Sequence, residues 1–162
     1  MVSHIHNGIY LGSKSALELA DDLRADGLRA VVRLDRAFPL TLASSHWPPD
    51  FSVLYLPIED AAPVPDGVFA KVTDFMHQHL SGEEKVLVHC QMGISRSATM
   101  VLAYLIEYEN MSLPEAFKLV RANRSIVWPH MALIRSLVEH YKLPYTPNQM
   151  SSEEFLAKLL DG

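Results

Sequence analysis

The apolar residues in the first half of the chain change their spacing repeatedly, which predicts strands alternating with helices. Short apolar runs mark predicted strands at residues 5–11, 30–34, 51–58 and 85–89. Spacing close to 3.6 residues marks predicted helices at residues 15–25, which Gly27 ends, and from Val68 to Met76. This alternation predicts the α/β class, as a single domain with a central, mostly parallel sheet flanked by helices.

The chain after residue 90 shows helical spacing only. Helices are predicted at residues 97–108, 113–122 and 129–141. Ser112 and Glu115 form a capping box at the start of the second of these helices.

The composition changes again near residue 143, where a proline-rich connector begins. Residues 151–160 then carry an amphipathic helical pattern that opens with a capping box of Ser151 and Glu154. We predict a main domain over residues 1–145 and a C-terminal tail over residues 146–162. The tail helix is expected to pack on its own domain, and the alternative is a partner or a second copy.

Length, charge and cysteine count narrow the function classes. The 162 residues suffice for one domain with a core, and no run approaches the ~20 apolar residues of a membrane span. A net charge of −5 argues against a nucleic-acid binder. The chain starts without a secretion-signal pattern, and its single cysteine excludes an intramolecular disulfide, so a cytoplasmic protein is expected. No metal or other cofactor is expected, because the histidines show no ligand pattern.

The single cysteine lies between the predicted strand at 85–89 and the helix that follows it. A sharp turn there would let successive backbone N–H groups converge, and the helix dipole would add positive charge, so the turn predicts a phosphate-binding loop. The loop consists of Gln91, Met92, Gly93, Ile94, Ser95 and Arg96. The same field favours a thiolate at Cys90, which could then act as a nucleophile.

A lone cysteine in an apolar stretch is usually a small buried hydrophobe, and the spacing of its neighbours argues against that interpretation here. The pattern H-C-x-x-G-x-x-R-S, from His89 to Ser97, would arise by chance on the order of once in 10⁴ chains of this length. Arg96 has a planar fork that can hold two phosphate oxygens. The Ser97 hydroxyl can donate to Cys90 Sγ, and His89 is expected to orient the loop.

These residues resemble the signature of the cysteine-based protein tyrosine phosphatases, and specifically their dual-specificity branch. Similar segments surround the signature, at residues 9–13, 93–99, 103–105 and 116–124. The resemblance covers about residues 5–141 and implies that residues 1–145 form a catalytic domain. The chain departs from the family pattern at residues 129–132, where Pro-His-Met-Ala stands in place of the usual Pro-Asn and Gly-Phe.

The resemblance implies a protein phosphatase that acts on phosphotyrosine, and on phosphoserine or phosphothreonine, through a phosphocysteine intermediate. The expected partner is a phosphorylated protein, and phosphate, sulfate or vanadate is expected to bind in the site. The oligomeric state stays open. The alternatives are a phosphoinositide or other small phosphomonoester phosphatase, a non-catalytic phosphopeptide-binding module and a rhodanese-type sulfurtransferase. Uncharged side chains in the loop disfavour a highly anionic lipid headgroup.

Hydrolysis also requires a group that protonates the leaving oxygen. The loop after the predicted strand at 51–58 offers the carboxyl groups of Glu59, Asp60 and Asp66. The family resemblance places the acid just after a Leu-x-Ile strand end, about thirty residues before the cysteine, which corresponds to Asp60. Asp66 is expected to cap the next helix instead, and Glu59 to be a solvated charge. Arg124 could extend a basic rim of the site or dock the phosphate, but a solvated helix face or ion pairs is the commoner interpretation.

Overall fold

The computed structural model describes residues 2–36, 46–147 and 150–161. Its sheet has five strands in the order β1-β2-β5-β3-β4. These strands are β1 Val2–His6, β2 Ile9–Gly12, β3 Leu28–Arg33, β4 Ser52–Tyr55 and β5 Lys85–His89. Only β1 pairs antiparallel, with β2, whereas β2, β5, β3 and β4 run parallel to one another. The predicted fold class, a mostly parallel sheet flanked by helices, is confirmed.

The first predicted strand, at residues 5–11, is wrong in one respect, because the structure divides it into the hairpin β1–β2. The turn falls at Asn7, whose φ of 48° lies in the left-handed region, and Gly8 follows it. An Asn-Gly pair accepts positive φ at low cost and is a strong hairpin signal. The apolar run therefore crosses a turn that its spacing alone did not reveal.

Six α-helices complete the described structure, the first of them extending a 3₁₀ helix at Lys14–Leu19. They are α1 Ala20–Ala25, α2 Val68–Ser81, α3 Arg96–Tyr108, α4 Leu113–Asn123, α5 Met131–Tyr141 and α6 Ser152–Asp161. The predicted capping box of Ser112 and Glu115 at α4 is confirmed. The predicted start of α5 at residue 129 is wrong, because the His130 side chain caps the helix and accepts a hydrogen bond from the Ala132 N–H.

Apolar residues pack on both faces of the sheet because alternate strand residues point in opposite directions. Val86 and Val88 of β5 face the larger core, to which helices α2 to α6 contribute, while Leu87 faces a smaller cluster with α1 and Trp47. Helix α3 is buried from Ser97 to Leu105, so its first turn is held directly behind the end of β5. This burial fixes the position of the turn that carries the cysteine.

Helix α6 packs on α4 through Phe155, Leu156 and Leu159, which join the larger core. The Ser151 hydroxyl accepts a hydrogen bond from the Glu154 N–H at 3.2 Å, as half of the predicted capping box. The tail helix thus packs on its own chain, while the division at residue 145 stays a prediction.

Candidate active site

The cysteine loop, residues 90–95, turns the chain from the end of β5 into α3. Gly93 lies at its centre with φ +69°, a conformation that L-residues rarely adopt. A Cβ atom there would lie 2.6 Å from Arg124 Nη2 and 2.7 Å from the backbone carbonyl atoms of Gly12. Glycine is therefore required at position 93 for both conformation and space.

Cys90 lies at the base of this loop, and only 2% of its surface is exposed. Its Sγ accepts a hydrogen bond from the Gly93 N–H at 3.3 Å and lies 3.1 Å from Ser97 Oγ. Its own N–H donates to the Gly12 carbonyl at 3.4 Å. A backbone N–H and a side-chain hydroxyl therefore converge on this one sulfur.

Arg124 lies buried behind the cysteine loop, so two of its sequence interpretations, a basic rim of the site and a solvated helix face, are wrong. Its Nε donates to the Gly93 carbonyl at 2.8 Å, and its Nη2 to the Met92 carbonyl at 3.3 Å. Its Nη1 reaches Ser3 Oγ on β1 at 3.0 Å. Burial lowers the pKa of this guanidinium, and the charge of Cys90 opposes the shift. Arg124 therefore fixes the loop carbonyls on the side away from the cleft.

His89 is fully buried and lies beside the nucleophile, where three neighbours hold its ring. Its Nε2 accepts from Trp47 Nε1–H at 2.9 Å, which leaves the proton on Nδ1. Nδ1 lies 3.3 Å from the Cys90 carbonyl and 3.5 Å from Asp35 Oδ1. Burial lowers the pKa of His89 to about 4, although Asp35 opposes the shift. The ring is therefore neutral near pH 7 and lies against the loop backbone, while its role in orienting the loop stays a prediction.

The partner of Asp35 is Arg33, and the two form an ion pair buried below the site. Arg33 Nε and Nη2 donate to the two carboxylate oxygens at 3.2 and 3.1 Å. Sequence reasoning missed both residues, because their pairing depends on where β3 ends beside β5. Trp47 follows residues 37–45, which lie outside the described structure.

Two hydrogen bonds, each donated by a backbone N–H, tie the cysteine loop to the segment before α5. Ser95 Oγ accepts from the His130 N–H at 2.8 Å, and the Ile94 carbonyl accepts from the Trp128 N–H at 2.9 Å. On the opposite side, Arg96 Nη1 donates to the Ile58 carbonyl at 3.0 Å. The guanidinium of Arg96 is thereby held at the mouth of the loop.

The cysteine loop forms the floor of a cleft of about 540 Å³. The cleft is lined by Asp60, Cys90, Gln91, Met92, Ile94, Ser95, Arg96, Trp128, Pro129, His130, Ser152 and Glu153. Of the predicted site residues, His89, Gly93 and Ser97 lie beneath this surface. Sequence reasoning missed the last five lining residues as parts of the site, because they reach it from the segment before α5 and from the first turn of α6.

Among the three candidate carboxylates, only Asp60 lines this cleft. Glu59 faces an adjoining depression, where its Oε1 lies 3.7 Å from Arg36 Nη2. Asp66 lines a separate hollow beside α5. The expectation that Asp66 caps α2 is wrong, because Gly67 occupies the cap position at φ +85° without a side-chain hydrogen bond.

Several known proteins are similar to this chain in sequence and fold. The family model described as dual specificity phosphatase, catalytic domain, matches residues 9–143. Human dual specificity protein phosphatase 14 is 31% identical over 140 residues, which cover 86% of this chain and 68% of the relative. The human tyrosine phosphatase-like serine/threonine/tyrosine-interacting protein superposes with a TM-score of 0.77 at 28% identity, covering 87% of this chain and 95% of that one. PTPMT1 in complex with PI(5)P superposes with a TM-score of 0.76 at 28% identity, covering 86% of this chain and 94% of PTPMT1.

Fold, signature and relatives together define a cysteine-based phosphatase. The chain belongs to the dual specificity phosphatase family, within the cysteine-based protein tyrosine phosphatase superfamily, and its activity is that of a protein phosphatase. The resemblance carried by residues 89–97 is confirmed. Within the described residues, no helix has the length and apolar character needed to cross a bilayer.

Proposed function

We propose that this protein phosphatase hydrolyses phosphotyrosine, and also phosphoserine and phosphothreonine, through a phosphocysteine at Cys90. The observation that carries the proposal is the convergence on Cys90 Sγ of the Gly93 N–H and the Ser97 hydroxyl, at the floor of a cleft that Arg96 borders. A sulfur nucleophile, hydrogen-bond donors and a guanidinium at one point form a site for a phosphate dianion.

In the first step, Cys90 Sγ attacks phosphorus while the bond to the leaving oxygen breaks. The amides of residues 91–96 and the fork of Arg96 hold the equatorial oxygens, whose charge they stabilise. The oxygen leaves as a neutral alcohol or phenol when Asp60, across the cleft, gives it a proton. Because Arg96 and the amides supply the positive field, the reaction is expected to proceed without a metal.

In the second step, water attacks the phosphorus of the phosphocysteine and releases inorganic phosphate. The Asp60 carboxylate takes a proton from that water, which restores the acid for the next cycle. The Ser97 hydroxyl, 3.1 Å from the sulfur, donates to the departing thiolate and makes it a better leaving group. His89 acts through the loop, because its Nδ1 lies 3.3 Å from the Cys90 carbonyl and its ring is buried beneath the cleft.

The shape of the rim supports a range of phosphorylated residues. Met92 stands 61% exposed beside the cleft, and we infer from this open rim that the site is shallow. A shallow site lets the short side chains of phosphoserine and phosphothreonine reach Cys90 as well as phosphotyrosine. Both classes are therefore proposed as substrates.

A phosphoinositide is the second candidate substrate, because one structural relative, PTPMT1, is described in complex with PI(5)P. The cysteine loop weighs against it here, since Gln91, Met92, Ile94 and Ser95 bring no cation to meet additional phosphates. A non-catalytic binding module is less consistent with the site, because Cys90 and Arg96 are both present and both line the cleft.

Turnover of para-nitrophenyl phosphate, inhibited by vanadate and unaffected by chelators, tests the activity. Asp60→Ala is expected to lower kcat strongly for alkyl phosphates, whose leaving groups need a proton, and less for an activated aryl phosphate. Asp66→Ala is the matched control, since that carboxylate lies outside the cleft. Equal losses for both kinds of substrate in Asp60→Ala would assign the acid to another residue.

We also propose that the protein works in a reducing compartment such as the cytoplasm. Cys90 is the only cysteine in the chain, so no second thiol can form a protective disulfide with its sulfenic acid. A reducing environment would keep this thiol active.

A further inference from the structure

One wall of the cleft comes from the C-terminal tail, beyond the residues matched by the family model. That match ends at residue 143, yet Ser152 and Glu153 in the first turn of α6 line the cleft with Cys90. Burial of the apolar face of α6 against the core holds this turn in place. The position of Glu153 at the cleft is therefore built into the fold, and its carboxylate remains exposed to a bound substrate.

The charges around the cleft are unequal on its two sides. The cleft contains the carboxylates of Asp60 and Glu153, and Arg96 is the only arginine or lysine among its described lining residues, which also include His130. Across Gln91 and Arg96 lies a second depression of about 280 Å³, whose lining carries charges of both signs: Lys14, Arg36, Asp35 and Glu59. Once Arg96 holds the substrate phosphate, the α6 side presents the carboxylate of Glu153, whereas the opposite side presents charges of both signs.

The N-terminus of α6 could instead attract an anion through its dipole and its unpaired N–H groups. Two observations oppose this. Glu153 and Glu154 both lie in the first turn and offset the positive end of the dipole, and the Ser151 hydroxyl already accepts from the Glu154 N–H. The α6 side of the cleft thus favours a cation over an anion.

We propose that the α6 wall is a specificity subsite at which Glu153 pairs with a lysine or arginine close to the phosphorylated residue of a protein substrate. The proposal rests on the proposed function, because it requires the phosphate to sit in the cysteine loop. A phosphoinositide in an anionic membrane would bring further negative charge against Glu153, so the subsite favours a peptide.

The expected preference for a lysine near the phosphate is small, because Glu153 is exposed to solvent. A single ion pair between solvent-exposed side chains changes kcat/KM by about two- to fivefold at low ionic strength. Salt should reduce that factor, because the screening length shrinks to about 10 Å at 0.1 M. A preference of this size is measurable with matched substrates.

The test compares phosphotyrosyl peptides that differ only in having lysine, glutamine or glutamate at one flanking position, scanned over two positions on each side. The wild type is expected to prefer lysine over glutamate about two- to fivefold at one or both positions on one side. Glu153→Gln should remove that preference, and Glu153→Lys should reverse it. Glu154→Gln, one residue along the same turn and outside the cleft lining, should keep the wild-type preference.

Any of three results with the peptides would overturn the proposal: no lysine preference in the wild type, an unchanged lysine preference in Glu153→Gln, or a loss of that preference in Glu154→Gln equal to the loss in Glu153→Gln. Faster turnover of phosphoinositide vesicles than of every peptide would overturn it as well. Hydrolysis of para-nitrophenyl phosphate by the wild type checks the proposed function separately. If that hydrolysis succeeds while the peptide preference is absent, the subsite fails and the phosphatase assignment stands.

Discussion

The buried neutral ring of His89 makes the stability of the protein dependent on pH. Protonation would place a charge in the core beside Arg33, and the nearby Asp35 offsets only part of that penalty. The folded pKa is therefore about 4, against 6.5 for an ordinary histidine. Between these values the unfolded chain binds a proton that the folded chain does not. Stabilisation is complete above pH 6.5 and is lost as the pH falls toward 4.

The size of this pH effect follows from the difference between the folded and unfolded pKa values of His89. Moving from pH 7.5 to pH 5 should remove about 2 kcal/mol of the free energy of unfolding through His89 alone. This is a large fraction of the roughly 5–15 kcal/mol that stabilises a typical domain. Other ionisable groups also titrate in this range, so the contribution of His89 must be isolated by a variant.

Urea unfolding at pH 7.5 and pH 5, followed by tryptophan fluorescence, provides that comparison. His89→Asn retains an amide donor and an amide acceptor but cannot titrate, so it should lose about 2 kcal/mol less than the wild type on acidification. His46→Asn, which removes an exposed histidine, controls for the loss of a histidine as such. Equal losses in wild type and His89→Asn would refute the buried neutral state of this ring.

Two further substitutions test how the cysteine loop is held. Gly93→Ala should destabilise the fold by more than about 1 kcal/mol and lower kcat/KM more than tenfold, because it combines positive φ with a clash. Gly67→Ala has the same kind of φ with nothing within 4 Å, so urea unfolding and turnover should show only a modest loss of stability. Trp47→Phe removes the donor to His89 Nε2, so the ring becomes easier to protonate. The acid limb of the pH profile of kcat/KM should therefore move to higher pH. An unchanged acid limb would argue against this contact.

The chemistry of the site could be predicted because it is concentrated in one short segment. Cys90, Arg96 and Ser97 lie within eight consecutive residues, so their spacing alone indicates how they converge around a phosphate. The spacing of residues could not by itself identify Asp60, because the choice among three carboxylates depended on family resemblance. The structure supports that choice by placing only Asp60 in the cleft.

The contacts that support the site could not be predicted, because they join elements far apart in sequence. Trp47 meets His89 across 42 residues, and Arg124 reaches the carbonyl of Gly93 across 31. Glu153 arrives only because α6 folds back onto α4. Each of these positions depends on tertiary packing, which leaves no periodic signal around the residue itself.

Secondary structure could likewise be predicted where it depends on neighbouring residues, and not where it depends on long-range pairing. The capping box at Ser112 was predicted because both of its members lie in one turn of the chain. The hairpin at Asn7 was missed because the apolar run continues through it, although the Asn-Gly pair carried the signal. The sheet order, with β5 between β2 and β3, depends on long-range pairing and could not be derived from spacing.

The central claim is that Cys90 carries the phosphoryl group during turnover. Asp60→Ala should accumulate this intermediate with an activated aryl phosphate, because formation needs little acid assistance while hydrolysis still needs a base. Acid quenching of that reaction, followed by peptide mapping, should find the phosphoryl group on Cys90, and Cys90→Ser should show neither adduct nor turnover. A phosphoryl group on another residue, or substantial turnover by Cys90→Ser, would contradict the account.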